Sequence, residues 1–375
     1  MNISYLHTTA QLEVFCDAAR TAGRVAIDAE FIPENTYYPQ LALLQLASDS
    51  GAFLLDPLSD VALTPLFRII ADPAVRVTVH AGTQDMAILS RLGDMAPQNI
   101  FDTQVAAAMI GMGHQISYAH LVAELTGTVL KKGEHLSDWL HRPLRPNQER
   151  YAIEDVLYLL PCADVLQARL DALGRDAWLR EDLSHYVAPI TDADLRAQAW
   201  RRVRGKQVLP VATWPLLQAL AAWREEEAMT RDLPRKKILS DEALLCIAQT
   251  QPHATAQLFD IPTFSRRGVR EYGQQIISIV KEALHKSPPQ RIEETPCRHM
   301  PMYAETLERL YARFQARCAE LSVAQAQVGT RADIEKMVCD HLCNQALLPS
   351  HHRLLRGWRA EAVGRVLLDC LAESA

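Results

Sequence analysis

The sequence lacks any run of about 20 apolar residues, the length that an α-helix needs to cross a lipid bilayer. No signal peptide is recognisable at its amino terminus. We therefore expect a soluble, cytoplasmic protein that makes no membrane contact. With 375 residues, the chain is long enough for two or three domains that each bury a core.

The sequence also lacks the Cys-x-x-Cys spacing that is typical of structural zinc sites, although it contains eight cysteines. Scattered cysteines of this kind are typical of proteins whose thiols stay reduced. Candidate zinc ligands near the carboxyl end are Cys297, His299, Cys339, His341 and Cys343. Because Cys339 and Cys343 fit successive turns of one apolar helix, we interpret them as core residues, with a zinc site as the alternative.

Acidic and basic residues are distributed unevenly along the chain. Residues 1–190 contain 13 Lys and Arg against 23 Asp and Glu, whereas residues 191–290 contain 15 against 11. The basic residues of the second region form three groups, at 201–206, 231–237 and 266–270. Such a pattern favours binding to nucleic-acid phosphates, with an ordinary solvated surface as the alternative.

Two carboxylates, Asp28 and Glu30, lie within the short apolar segment 25–31. The segment is typical of a buried strand, with Gly23 before it and Pro33 after it. Because strand side chains alternate between faces, the two carboxylates point the same way, about 7 Å apart at their Cα atoms. Two like charges on a buried face are unfavourable unless a hard cation compensates them. A solvated strand end is the alternative.

A third carboxylate follows a second strand-like segment, 75–79. His80-Ala-Gly-Thr-Gln-Asp85 continues from that segment, and apolar residues spaced as in a helix come next. Asp85 is thereby predicted to lie on the first turn of a helix, where a carboxylate either completes a site or offsets the helix dipole.

A fourth carboxylate, Asp155, is predicted on a later helix. Pro146 and Asn147 favour the start of that helix, with Asn147 as its N-cap. Tyr151 and Asp155 are four residues apart and therefore share a face, beside an apolar stripe that continues to Leu160.

The order Asp-x-Glu, His-Ala-Gly-x-x-Asp and Tyr-x-x-x-Asp resembles the three exonuclease motifs of the DEDD superfamily, in its tyrosine-containing branch. The resemblance to the ribonuclease D family is closer, and it covers the first half of the chain. Further matching motifs occur in the same order: Asn35-Thr-Tyr-Tyr-Pro39, Leu43-Leu-Gln-Leu46, Phe101-Asp-Thr-Gln104, Asp138-Trp139, Arg142-Pro-Leu144 and Asp155-Val-Leu-Tyr-Leu-Leu-Pro161.

This resemblance implies an α/β ribonuclease-H-like exonuclease core over residues 1–190, with a mixed five-stranded sheet flanked by helices. Residues 210–287 resemble the helicase-and-RNase-D carboxyl-terminal (HRDC) domain, an auxiliary nucleic-acid-binding bundle, through Trp223-Arg224-Glu225, Asp232-Leu-Pro234 and Tyr272-Gly273. Residues 297–375 resemble a weaker second copy, through Leu354-Leu-Arg-Gly-Trp358-Arg. Both of these domains are expected to be all-α helical bundles.

The resemblance also implies two divalent metal ions, Mg²⁺ or Mn²⁺, held by Asp28, Glu30, Asp85 and Asp155. All of these except Asp85 would hold the ion that generates the nucleophile. Asp28 would also bind the second ion, supported by Asp85. Tyr151 would orient the attacking water, because a phenol with an ordinary pKa of about 10 is a poor general base. We assign His80 a structural role or a role in supporting the metal ligands, since oxygen ligands suffice for these ions, with a direct metal ligand as the alternative.

Candidate contacts to nucleic-acid phosphates are Lys131, Lys132, Arg235, Lys236, Lys237, Arg266, Arg267 and Arg270. Residues 235–237 precede a helix start at Ser240 or Asp241, and helix N-termini near Lys or Arg bind phosphate. The sequence departs from its relatives at Ala29, where they usually have threonine, and at residues 32–35, which contain no basic side chain. We expect the metal chemistry to be intact, whereas the sequence leaves open whether residues 32–35 contact phosphate, and Glu34 would locally repel a nucleic acid.

Taken together, the resemblance implies a metal-dependent 3′→5′ exoribonuclease. It is expected to be a monomer that trims transfer RNA precursors and releases nucleoside 5′-monophosphates. A 3′→5′ DNA exonuclease or repair nuclease is the nearest alternative, because four acids and a tyrosine do not distinguish the sugar. A non-catalytic RNA-binding scaffold is the other alternative, although an intact set of buried acids argues against it.

Overall fold

The computed structural model describes residues 3–131, 133–134, 137–186, 191–284 and 296–373. Its sheet has six strands in the order β1-β4-β3-β2-β5-β6. The strands are β1 (Ser4–Tyr5), β2 (Arg24–Ile32), β3 (Gln40–Ser48), β4 (Gly51–Leu55), β5 (Arg76–Val79) and β6 (Ile100–Asp102). The predicted α/β class is confirmed, and the sheet has one strand more than the five expected. The strand-like segments of the sequence did not include β1 and β6, because two or three residues are too few to show alternation.

The sheet is mixed, as predicted. β3 pairs antiparallel with β4, whereas β2 pairs parallel with β5, and β5 pairs parallel with β6. All of β3 after Gln40 is buried, which is typical of a strand covered on both faces. Phe15 of the first helix contacts Phe53 on one face, with ring centroids 5.5 Å apart. The other face carries the predicted acids.

Small side chains allow helices to approach that second face closely. Ala26 of β2 and Ala47 of β3 belong to one buried cluster with Val156, Leu159 and Leu160. Because strand side chains alternate, Asp28 lies on the same face as Ala26. The helix that carries Val156 therefore packs beside Asp28.

Eight α-helices lie in the described residues between positions 9 and 183. They are α1 (Thr9–Ala22), α2 (Thr64–Ile70), α3 (Thr83–Gly93), α4 (Thr103–Met109), α5 (Tyr118–Thr126), α6 (Pro146–Leu157), α7 (Leu159–Ala172) and α8 (Asp176–Leu183). Of the helices in the described ranges, none is long and apolar enough to cross a bilayer.

Contacts divide the chain into two compact units. The core unit comprises residues 1–30, 41–189 and 294–375, and the helical unit comprises residues 31–40 and 190–293. The helical unit contains α9 (Asp192–Gln198), α10 (Trp214–Arg231), α11 (Arg235–Ile238), α12 (Asp241–Thr250) and α13 (Arg266–Leu284). These units group the chain differently from the three domains expected, whose boundaries stay a prediction.

The carboxyl-terminal segment packs within the core unit. Its helices are α14 (Tyr303–Glu320), α15 (Gln325–Val328), α16 (Arg331–Leu342), α17 (Gly357–Arg359) and α18 (Arg365–Ala372). Asp182 of α8 forms a buried ion pair with Arg359, with one nitrogen–oxygen distance of 2.7 Å. Arg175 donates to the main-chain oxygens of Met109 and Leu321. These bonds join the segment to α4 and α8.

One expectation about the cysteines is wrong. Cys297 and Cys339 form a disulfide, whereas the sequence led us to expect reduced thiols throughout. The two cysteines are 42 residues apart, and only the packing of the segment before α14 against α16 brings them together. Among the described residues, the candidate zinc ligands do not converge on one metal position.

Candidate active site

Three of the predicted acids converge at one point. One oxygen each of Asp28, Glu30 and Asp155 lies within 4.8 Å of the other two. β2 carries Asp28 and Glu30 on one face, and α6 brings Asp155 to that face from more than 120 residues further along the chain. Asp85 is not part of this group of three, although its charge acts on both Asp28 and Glu30.

A tight turn between β5 and α3 places Asp85. Ala81 adopts a left-handed conformation, with φ at 54°. Gly82 approaches Val79 so closely that a Cβ atom at this position would lie 2.6 Å from the Val79 Cβ. Only glycine therefore fits, and α3 begins directly afterwards, with Asp85 buried in its first turn as predicted.

Asp102 holds this turn, a role that the sequence did not reveal. Its Oδ1 accepts hydrogen bonds from the main-chain N–H groups of Ala81 at 3.0 Å and Gln104 at 2.8 Å. Its Oδ2 accepts a hydrogen bond from the Tyr186 hydroxyl at 2.6 Å. The motif Phe101-Asp-Thr-Gln104 and the preference of Asp for N-cap positions were the available signals.

His80 has the structural role that we predicted for it. Its Nδ1 lies 2.9 Å from the Thr103 hydroxyl, and its Nε2 lies 3.1 Å from the Ile116 carbonyl oxygen. Both ring nitrogens are therefore engaged within the protein. A metal ion would have to displace one of these hydrogen bonds to use His80 as a ligand.

α6 places Tyr151 and Asp155 on one face, and the Tyr151 hydroxyl donates a hydrogen bond to the Asp155 carboxylate. The buried Trp139 ring packs on Tyr151, with ring centroids 6.1 Å apart. The helix begins at Pro146, but its N-cap is Arg145, so the prediction of Asn147 as N-cap is wrong. The Gln148 side chain caps the helix instead, by accepting a hydrogen bond from the Arg145 main-chain N–H at 3.0 Å.

Burial makes these carboxylates hold their protons unusually strongly. Burial raises the pKa of Asp28 well above its usual range, and the charges of Asp155, Asp85 and Glu30 add to this effect. Burial and the charge of Asp155 raise the pKa of Glu30 to about 8. Burial also raises the pKa of Asp85 and of Asp155 to about 7.

The donor set fits a hard divalent cation. Among the described residues, no Lys or Arg forms an ion pair with Asp28, Glu30 or Asp155. Carboxylate oxygens are the ligands that Mg²⁺ and Mn²⁺ prefer, and the buried negative charge here has no cation of its own. The acidic motif of this site implies the use of divalent metal ions, and these carboxylates can serve as the ligands.

Gln45 is a further polar residue on the same face, and sequence reasoning assigned it no role. It has no exposed surface, and neither atom of its amide has a hydrogen-bond partner among the described residues. It is two residues from Ala47, so it shares the face of Ala26 and Asp28. A glutamine inside the apolar run of β3 was the available signal.

The predicted phosphate contacts have different surroundings. Lys131, Lys236, Lys237, Arg266, Arg267 and Arg270 are exposed, and Lys132 lies outside the described residues. Arg267 is 4.0 Å from Glu271. Arg235 differs from the others, because both Nε and Nη2 donate to the carboxylate of Glu225 at 2.5 Å. The phosphate contact predicted for Arg235 competes with this ion pair.

Known proteins resemble the chain in both sequence and structure. A 3′-5′ exonuclease family model matches residues 3–171, and an HRDC domain model matches residues 215–280. Ribonuclease D of Pseudomonas paraeruginosa is 33% identical, and the match covers 100% of this chain and 98% of that protein. Ribonuclease D of Gluconacetobacter diazotrophicus is 35% identical, with coverage of 96% and 93%.

The crystal structure of Escherichia coli RNase D, described as an exoribonuclease involved in structured RNA processing, superimposes with a TM-score of 0.83. It is 28% identical and covers 100% of this chain and 99% of that chain. The catalytic core of RRP6 from Trypanosoma brucei has a TM-score of 0.55 at 21% identity, which shows a shared fold. Full-length matches above 30% identity, together with the exonuclease core, show that this chain belongs to the ribonuclease D family and is a 3′→5′ exoribonuclease.

Proposed function

We propose that this exoribonuclease trims the 3′ ends of transfer RNA precursors and releases nucleoside 5′-monophosphates with the help of two divalent cations, Mg²⁺ or Mn²⁺. The observation that carries the proposal is the convergence of Asp28, Glu30 and Asp155 within 4.8 Å in a half-buried position. Asp85 acts on the same group through its charge, which supports its assignment to a second cation. A monomeric state and a cytoplasmic location complete the proposal.

When bound, the cations supply an activated water and neutralise the charge that develops on the phosphoryl oxygens. The side chains of the protein provide the ligands and the orientation. Burial raises the pKa of Tyr151 well above its usual range, and the charge of Asp155 adds to this. The Tyr151 phenol therefore keeps its proton at neutral pH. Because its proton is donated to the Asp155 carboxylate, the hydroxyl oxygen orients the water by accepting a hydrogen bond from it, and it does not remove the proton of that water.

The RNA substrate is supported by the relatives. The name ribonuclease D and the description of the Escherichia coli enzyme both refer to RNA. The exposed basic residues of the helical unit supply candidate phosphate contacts, and they lie within or beside the stretch that matches the HRDC model. We propose Lys236, Lys237, Arg266, Arg267 and Arg270 as these contacts, and Lys131 and Lys132 as further phosphate contacts from the core unit.

A cleavage assay with matched polymers tests the proposal. Transfer RNA with a 3′ extension, a circular RNA and a DNA of the same sequence are each incubated with Mg²⁺, Mn²⁺ or EDTA. We expect metal-dependent release of 5′-monophosphates from the extended transfer RNA alone. Equal cleavage of DNA would contradict the sugar preference, and cleavage of the circular RNA would contradict an exonuclease. Activity in EDTA would contradict the metal site.

A further inference from the structure

The segment that follows Glu30 belongs to the helical unit, although it connects two strands of the sheet. Residues 31–40 group with residues 190–293, and β2 ends at Ile32 while β3 begins at Gln40. Only seven residues lie between these strands. The conformation of this short connection therefore restricts the position of the end of β2, which lies two residues beyond Glu30.

Tyr37 attaches this segment to the helical unit. Its hydroxyl donates a hydrogen bond to Glu225 at 2.6 Å, and its ring packs against the buried core of that unit. The Arg235 guanidinium lies 4.7 Å from the ring centroid, within the range of a cation–π interaction. The main-chain N–H of Tyr38 donates to Asp232 at 3.0 Å.

Glu225 joins these contacts into one cluster. Its side chain is 1% exposed, and it accepts hydrogen bonds from Tyr37 and from two nitrogens of Arg235. Removal of the Arg235 guanidinium takes the main cation from a buried carboxylate, and removal of the Tyr37 hydroxyl takes one hydrogen bond from it, both of which are unfavourable. We refer to Tyr37, Glu225 and Arg235 together as the loop anchor.

The composition of the segment argues against a role in binding phosphate. Residues 31–40 contain no Lys or Arg, and Glu34 adds a negative charge. The segment is nevertheless held through the buried carboxylate of Glu225, which is paired with the half-buried Arg235. The attachment of residues 31–40 to the helical unit therefore needs an explanation other than the binding of substrate.

We propose that the loop anchor positions the backbone after Glu30, so that Glu225 and Tyr37 are positioning residues for the hydrolysis of RNA. This inference rests on the proposed function. An anchored connection limits the motion of the end of β2, and a displacement of about 1 Å at a reacting group can reduce a rate about 100-fold. The helical unit then contributes to the chemical step as well as to RNA binding.

The variant Glu225→Gln in the full-length protein tests this inference. Glu226→Gln is the matched control, because Glu226 is the adjacent residue and its carboxylate is paired with Arg196 at the surface. We measure the single-turnover rate on a short RNA with saturating Mg²⁺, the RNA dissociation constant in EDTA, and amide hydrogen exchange of residues 31–40.

For Glu225→Gln we expect a rate at least about tenfold lower, an RNA dissociation constant within about twofold of the wild type, and faster exchange in residues 31–40. The control should match the wild type in all three. An unchanged rate despite faster exchange would mean that the anchor only stabilises the fold. An unchanged rate with weakened RNA binding would assign the anchor to capture. Either result overturns the inference.

Tyr37→Phe provides a milder test that remains available if Glu225→Gln does not fold. It removes the hydroxyl and keeps the ring beneath Arg235, so we expect a rate about threefold lower. Because Glu225→Gln removes the charge of the acceptor and Tyr37→Phe removes the donor of the same hydrogen bond, the losses in the double variant should be less than additive. Fully additive losses would overturn the inference.

The two proposals fail in different ways. A wild-type protein that does not hydrolyse RNA with metal overturns the proposed function, and this inference with it. A wild-type protein that hydrolyses RNA, combined with an unchanged rate in Glu225→Gln and Tyr37→Phe, overturns this inference alone.

Discussion

The pKa values of buried carboxylates are shifted in opposite directions in the two units. In the core unit, burial and neighbouring acids raise the pKa of Asp28 and Glu30. In the helical unit, burial also acts to raise the pKa of Glu225, but hydrogen bonds from Arg235 and Tyr37 outweigh it and the net change is downward. A buried acid that has a cation from its own chain is part of the framework. Buried acids without one require a cation from solution.

The carboxyl-terminal segment provides a second example of the paired kind. Asp182 and Arg359 are each 8% exposed in their side chains, and both Arg359 amino groups donate to the Asp182 carboxylate. The Trp358 indole N–H donates to the same carboxylate at 2.9 Å. The difference between the buried acids therefore depends on whether a cationic side chain is paired with them. It does not depend simply on the unit in which the acid lies.

Asp28→Asn should have the largest effect on activity. The substitution removes the carboxylate that interacts with all three of the other acids, and we expect turnover to fall by on the order of 10³-fold. RNA binding should stay within about twofold, because phosphate contacts elsewhere supply it. Asp17→Asn, at a carboxylate that is 75% exposed, is the control. A wild-type rate in Asp28→Asn would remove this residue from the site.

Arg235→Ala tests how much the ion pair between Arg235 and the buried Glu225 contributes to stability. It leaves Glu225 buried with only the neutral Tyr37 hydroxyl and the half-exposed Arg202, 3.6 Å away, as partners, so we expect the free energy of unfolding, measured in urea, to fall by about 3 kcal/mol. Arg231→Ala, which breaks ion pairs with Glu227 and Glu271 at the surface, should change the free energy of unfolding much less, because exposed ion pairs contribute little. Unchanged stability with weaker RNA binding would instead assign Arg235 to phosphate recognition.

The unpaired acids predict how stability depends on pH and metal. Unfolded carboxyls titrate near pH 4, whereas burial raises the pKa of Glu30 to about 8, so the folded state binds more protons between these values. The metal-free protein therefore loses stability as the pH rises through this window. Mg²⁺ competes with those protons, so the increase in Tm that it causes should grow from about pH 6 to about pH 8.5.

Thermal melts with Mg²⁺ or EDTA at several pH values provide the measurement. Asp28→Asn should show a smaller Mg²⁺ effect at every pH, because one ligand is missing. An Mg²⁺ effect on the wild type that is equal at both ends of the range would contradict proton competition at this site.

The double variant Lys236→Ala/Lys237→Ala should have the smallest effect. Both side chains are exposed, so we expect unchanged stability and RNA binding weakened only a few-fold at moderate salt. The slope of binding against salt concentration should decrease by about one for each lysine that contacts a phosphate. An unchanged slope would exclude both lysines from the RNA contacts.

Local patterns were sufficient to predict several parts of the site. The alternation in 25–31 predicted both β2 and the shared face of Asp28 and Glu30. Helical spacing predicted the common face of Tyr151 and Asp155, and the apolar stripe predicted the packing of α6 on the sheet. These features depend on periods of two and 3.6 residues, which are visible in any short window.

Other features depended on partners that are distant in the chain. Arg235 was predicted as a phosphate contact, yet its nearest acid is Glu225, ten residues earlier on another helix. Asp102 gave a weak local signal, and its partner Tyr186 is 84 residues away. The disulfide between Cys297 and Cys339 was missed for the same reason.

The sequence by itself determined the strand that carries Asp28 and Glu30, which acids share a face, and which family the chain resembles, because neighbouring residues carry that information. The tertiary structure alone decided which buried charges have partners. Whether a carboxylate is an ion-pair member or a metal ligand depends on the nearest cation in space, and folding chooses that cation from positions far apart in the chain.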